Sequence, residues 1–212
     1  AGRIKRWIVL AGLGVVLLLW VALAWSKKSA PVGILGIMIM VGFMAIVVNM
    51  LLIIAFQTTF GYVYEWIGLA LAAFMFGLAL ASYLTHRYFT RQAKFVLHVL
   101  LFVGLFSLLL FLPVIKVIRD HQSLLLHFIL TIWSGGVIGV FFPVLNRVYL
   151  AASAKTRVGT VYACDLVGGA IGSMLVSGFL VPIFGFEFPI LICIIMLIFA
   201  IVVLKILSLK NH

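Results

Sequence analysis

Seven long apolar runs divide the chain, at roughly 7–25, 32–57, 62–85, 95–118, 123–148, 160–184 and 189–209. Each can cross a hydrocarbon core about 30 Å thick, which takes about 20 residues of helix. Lipid offers the backbone no hydrogen-bond partners, so each run is predicted as a helix that satisfies its own N–H and C=O groups. The runs are continuous and do not alternate, which excludes the strands of a membrane barrel. The predicted fold class is therefore all-α, an integral membrane helical bundle of about seven transmembrane helices. The connections are short, the longest being THRYFTRQAK at Thr85–Lys94 and Ala151–Gly159. Short connections make antiparallel hairpins, and no linker separates two soluble domains. The expected organisation is a first helix at 1–30, an add-on or the end of a preceding region, and then a six-helix bundle at 31–212.

Prolines and small residues punctuate these runs. Pro31 and Pro189 sit at helix starts, where a missing N–H is of little consequence. Pro113, Pro143 and Pro182 fall in the last turns of their spans and are predicted to kink or end them. Small residues recur every four positions: Gly77 with Ala81, Gly135 with Gly139, Gly168 with Gly172, and Gly169 with Ser173 and Ser177. Such stripes let helix backbones approach closely. They fit internal packing, or a sliding surface in a transporter.

Composition narrows the class. Of 212 residues, 67% are hydrophobic and 9% charged, against about 25% charged in a soluble domain. A soluble globular enzyme is excluded, and so is disorder, which needs low hydrophobicity. Lys and Arg number 15 and Asp and Glu 4, a net charge of +11. The cations lie between apolar runs, where they set orientation and touch anionic headgroups. No basic stripe carries interleaved aromatics, so nucleic acid is not an expected partner. With seven spans, one face collects 5 Lys and Arg and the other 10. The excess predicts that Thr85–Lys94, Ala151–Gly159 and the C-terminus are cytoplasmic. The basic N-terminus then faces outward, a local exception.

Arg3, Lys5 and Arg6 before the first run resemble a signal-peptide start. The run from Trp7 to Trp25 is 19 uncharged residues and ends in Ser26-Lys27-Lys28, not a small-residue cleavage site, so it is taken as a span. Residue 1 is Ala, which suggests processing or a longer parent chain. Cys164 and Cys193 lie inside apolar runs without metal-site or disulfide spacing.

Two stretches resemble a known family. Gly42–Ser82 contains AFQTTFGYVYEWIGLALAAFMFGLALAS, and Arg157–Phe186 reads RVGTVYACDLVGGAIGSMLVSGFLVPIFGF. Together, about 70 of the 212 residues resemble the membrane moiety of bacterial spermidine-synthase-like fused proteins. There, a multi-helix membrane region accompanies an aminopropyltransferase-like domain. GLALASYLTHRYFTRQAK at Gly77–Lys94 also resembles the short basic cytoplasmic loop of half a major-facilitator-type transporter. The resemblance implies a bacterial inner membrane. The family usually has an acidic residue where Asn49 stands and an Asn where Asp165 stands. No strand-turn-helix with a nucleotide-binding glycine loop occurs here, and GGAIG at Gly168–Gly172 lies inside a span. Synthase activity is therefore not carried over, and no cofactor is implied.

An ionisable group in lipid carries a penalty of about 2.5–3.5 kcal/mol on insertion scales, so each one needs a reason. Asp165 lies about six residues into its span, at a depth similar to Arg147, with Arg157 in the connection between them. The expected role is an ion pair that pins the hairpin, and the functional alternative is a proton or cation site. Asn49 and Gln57 share one helix face, and Glu65 lies near Gln57 in depth. They are expected to be interfacial anchors with an interhelical hydrogen bond, or a polar pocket for an amine. His98 and His127 are predicted at opposite ends of neighbouring spans, roughly 25–30 Å apart, too far to share one haem iron.

Three roles follow from the sequence. The first is a non-catalytic membrane subunit or module that assembles with a partner protein or domain. The second is a half transporter for a small solute, an amine being one candidate, working as a homodimer. The third is a haem- or quinone-linked electron-transfer subunit.

Overall fold

The computed structural model describes residues 30–61, 64–88, 93–121, 123–152 and 158–209, and the span predicted at 7–25 lies outside them. The described elements are α1 (Ala30–Phe60), α2 (Tyr64–Tyr88), α3 (Ala93–His121), α4 (Leu124–Ala152), α5 (Val158–Leu175), a π-turn over Val176–Leu180, α6 (Val181–Phe184) and α7 (Glu187–Leu209), with no strand among them. The α5–π–α6 stretch forms one continuous rod. Six rods among the described residues are long and apolar enough to cross a membrane. The fold is that of a multi-pass membrane protein.

The centre of the bundle is α1, which is apolar all round and is the most deeply enclosed of the spans. Ile37, Met38, Val47, Leu51, Leu52 and Phe56 on it are almost wholly enclosed. The outer faces stay apolar: Met75, Phe76, Phe102, Phe106 and Leu109 are exposed. In water, such a belt would drive aggregation. In a bilayer it meets acyl chains.

Tight turns follow from glycine at helix ends. Gly61, at φ +90°, ends α1, and its N–H donates to the Gln57 carbonyl at 3.0 Å. Gly185, at φ +77°, ends α6, with its N–H on the Val181 carbonyl at 3.0 Å. A left-handed residue after the last turn satisfies a terminal carbonyl, and glycine adopts it without a Cβ clash.

Pro182 lies two residues before the end of its span, but the other two prolines do not end theirs. Pro113 and Pro143 do not end their helices, since α3 continues to His121 and α4 to Ala152. A proline forfeits one backbone hydrogen bond, and packed neighbours hold the rest of the helix in place. Pro182 sits just beyond the π-turn, where the Val181 N–H reaches back five residues to the Val176 carbonyl. The wider turn inserts a residue where proline disturbs the regular ladder.

The helix order hides a second regularity. The two tightest seams are α1 on α5 and α2 on α4, and both are parallel pairs. Gly42 lies over the Asp165 backbone and Gly168 over Ile39 on the first seam; Gly135 lies over Phe74 and Gly77 over Ile132 on the second. Gly42 and Ile39 thus correspond to Gly135 and Ile132, each 93 residues on. Asp165 and Gly168 correspond to Phe74 and Gly77, each 91 residues back. The same offsets match Gly169 beside Ile46 with Gly139 beside Leu78, and Gly172 beside Phe43 with Ala81 beside Gly136. The outer helices follow: α3 lies on α4 and α7, and α7 lies on α1 and α3. Exchanging α1–α2–α3 with α4–α5–α7 leaves the helix neighbours unchanged. Three spans are an odd number, so the second unit starts from the opposite face. The arrangement is an inverted repeat.

Candidate functional site

The five described residues among the six singled out from sequence do not converge on one point. Asp165 is half-buried on the α1–α5 seam, where a Cβ on Gly42 would come within 2.8 Å of its Oδ1. Glycine at 42 makes room for that carboxyl. Arg147 is exposed near the end of α4, and among the described residues no ion pair joins it to Asp165. The Arg147 form of the expected pin is not made, because α5 packs on α1 and barely touches α4. Arg157 lies outside the described residues.

Asn49 is buried at 5% exposure on α1, about 12 Å along the helix from Gln57 by the rise per residue. Gln57 is half-buried in the last turn of α1, and Glu65 is exposed in the first turn of α2. Among the described residues no hydrogen bond or ion pair joins these three. Glu65 is at the helix N-terminus, where a carboxylate opposes the positive end of the dipole.

Near the middle of the bundle, a cavity of about 50 Å³ lies between α1, α3, α4 and α7. Its lining follows the repeat: Val41 corresponds to Ser134, Met44 to Val137 and Val48 to Phe141. The cavity is almost wholly apolar and has room for little more than a methyl cluster or a water. Ser107, at its edge, accepts a hydrogen bond from the Trp133 indole at 3.3 Å.

His127 is enclosed at 1% exposure near the start of α4. Phe56, Phe60 and Phe128 surround it edge-on, with ring centroids at 5.1, 6.2 and 6.4 Å. Thr131 donates its hydroxyl to the His127 carbonyl at 2.8 Å. The imidazole acts as a packed ring beside three phenylalanines. Among the described residues no group of three His, Cys, Asp or Glu side chains could hold a metal ion.

The sequence reading missed a groove between α2 and α4 that holds Ser82, Tyr83, His86 and Asn146 around Arg147. Its signal was present: Ser82 and His86 are one turn apart, beside Tyr83, and each polar group falls near the same end of its helix. Reading spans one at a time hid it, because half of the groove comes from each helix.

Compared with family models, curated proteins and solved structures, the chain matches none. Seams, cavities and polar positions therefore carry the functional reading.

Proposed function

We propose that the chain is a non-catalytic membrane module that works by packing against a second helical bundle, either a partner protein or another copy of itself. One observation carries this reading: an inverted three-plus-three repeat with a dense, apolar centre. Bundles built this way form halves of two-part membrane assemblies, whose working surface lies between the halves. The cavity near the centre of this bundle holds only about 50 Å³ and is lined almost wholly by apolar side chains. The resemblance of Gly42–Ser82 and Arg157–Phe186 to membrane moieties of spermidine-synthase-like proteins agrees with this reading, since those moieties accompany another domain. Cross-linking in native membranes tests it. The expected result is a covalent adduct heavier than the 23.4 kDa chain. A chain that stays at its own mass under efficient cross-linking counts against the proposal.

The inverted repeat specifically favours one form of this module, a half transporter completed by a second copy. Asp165, on a glycine-lined parallel seam, is then the candidate for ion or proton coupling. Uptake into proteoliposomes that disappears in Asp165→Asn, with assembly intact, supports that form. Uptake unchanged by the substitution removes Asp165 from the mechanism.

A further inference from the structure

Between α2 and α4, at the end that carries the 89–92 and 153–157 connections, an open groove of about 560 Å³ runs along the parallel seam. Leu78, Phe142 and Leu150 make its apolar floor, while Ser82, Tyr83, His86, Asn146 and Arg147 supply polar groups. The Tyr83 hydroxyl already accepts a hydrogen bond from the Arg87 guanidinium at 3.2 Å, which leaves its own proton to donate. Asn146 Oδ1 is buried with no hydrogen-bond partner. That oxygen is an acceptor, so it calls for a donor and makes no contact with an anion.

The internal repeat supplies a control for this groove. At the same offsets, Asn146 and Arg147 correspond to Ile53 and Ile54 on α1, and Tyr83 corresponds to Met174 on α5. His86 and Ser82 correspond to Ser177 and Ser173, and Phe142 and Leu150 to Asn49 and Gln57, so the equivalent place has neutral polar groups and no cation. The seam itself packs in both halves, through the same glycine contacts. Arg147, His86 and Tyr83 are thus not needed to build a seam of this geometry, and these three groups stand at only one of the two equivalent places.

We propose that this groove binds a phosphate anion, held by Arg147, His86 and Tyr83 and carried by a lipid headgroup or present as free phosphate. The chemistry matches: a guanidinium with two parallel N–H groups, an imidazole and a phenol O–H are donors suited to tetrahedral oxygens. Arg147 has no acidic partner among the described residues. The apolar floor beside the donors favours the lipid source, because a phosphate at the interface brings acyl chains that can lie along Leu78, Phe142 and Leu150. Basic pockets between membrane helices hold anionic headgroups by this division of labour.

The test is native mass spectrometry of the whole chain in detergent, titrated with dioleoyl-phosphatidylglycerol, with dioleoylglycerol as the headgroup-free control. The variants are Arg147→Gln, Arg147→Lys and the double change Asn146→Ile with Arg147→Ile, which installs the residues of the equivalent seam and should fold as that seam does. Losing one charge-assisted bidentate contact should weaken phosphatidylglycerol binding about tenfold or more in Arg147→Gln and in the double variant. Arg147→Lys should fall between these and the parent. Inorganic phosphate that displaces the lipid identifies the free anion as an alternative source, and lipid that persists at high phosphate identifies the headgroup. Equal binding by the parent and the double variant overturns the proposal, as does dioleoylglycerol binding as tightly as phosphatidylglycerol.

Discussion

At the residue scale, the buried groups are held by packing more than by polar partners. His127 Nε2 has no hydrogen-bond partner and faces phenylalanine rings. Replacing an unsatisfied buried polar ring with an apolar ring of similar shape can be neutral or stabilising. His127→Phe should leave the melting temperature in detergent unchanged or higher, and the purified parent should show no Soret band. A loss of several degrees would mean that the imidazole has a polar partner. Gly61 and Gly185 act through the backbone. A side chain in the left-handed region costs about 1–2 kcal/mol, so Gly185→Ala should lower the melting temperature by a few degrees, measured against Gly68→Ala, where an added Cβ meets nothing within 4 Å. At this scale the sequence was only partly legible. Asp165 was readable as an unusual group, yet its neighbour was not, because helix depth does not say which helix lies alongside.

At the element scale, glycine placement decides which helices touch. An added Cβ on Gly135 would run into the Phe74 carbonyl, and one on Gly42 into the Asp165 carbonyl. Overpacking of this kind costs about 1–3 kcal/mol. Gly135→Ala and Gly42→Ala should therefore destabilise to a similar extent, since they hold equivalent places in the repeat, and thermal melts of the two variants check this. A large effect from one and none from the other would break the equivalence. The described spans were legible from apolar run length, to within a few residues at most ends. Pro113 and Pro143 misled because a proline weakens one backbone bond, whereas neighbouring helices decide whether a helix ends. The four-residue glycine stripes were visible in sequence. Their pairing into two matched seams was not, since each seam joins helices far apart in the chain.

At the scale of the whole molecule, the charge pattern and the repeat each make a prediction, one for orientation and one for assembly. The excess of Lys and Arg predicts that the 89–92 and 153–157 connections are cytoplasmic. A membrane-impermeant maleimide should then label a Ser123→Cys variant in intact cells and an Ala152→Cys variant only after permeabilisation, because α4 separates these positions. The reverse pattern would invert the molecule and move the phosphate-binding groove to the outer face. Composition made the membrane class legible, and no single run revealed the inverted repeat, which exists only as a correspondence between contacts. That correspondence is the basis for treating the bundle as half of a larger assembly. Native mass spectrometry of the protein, gently extracted from its own membranes, tests this most directly. The account predicts a complex heavier than one 23.4 kDa chain, either a multiple of it or the chain with another protein. A single unaccompanied chain, carrying only lipid, would contradict it.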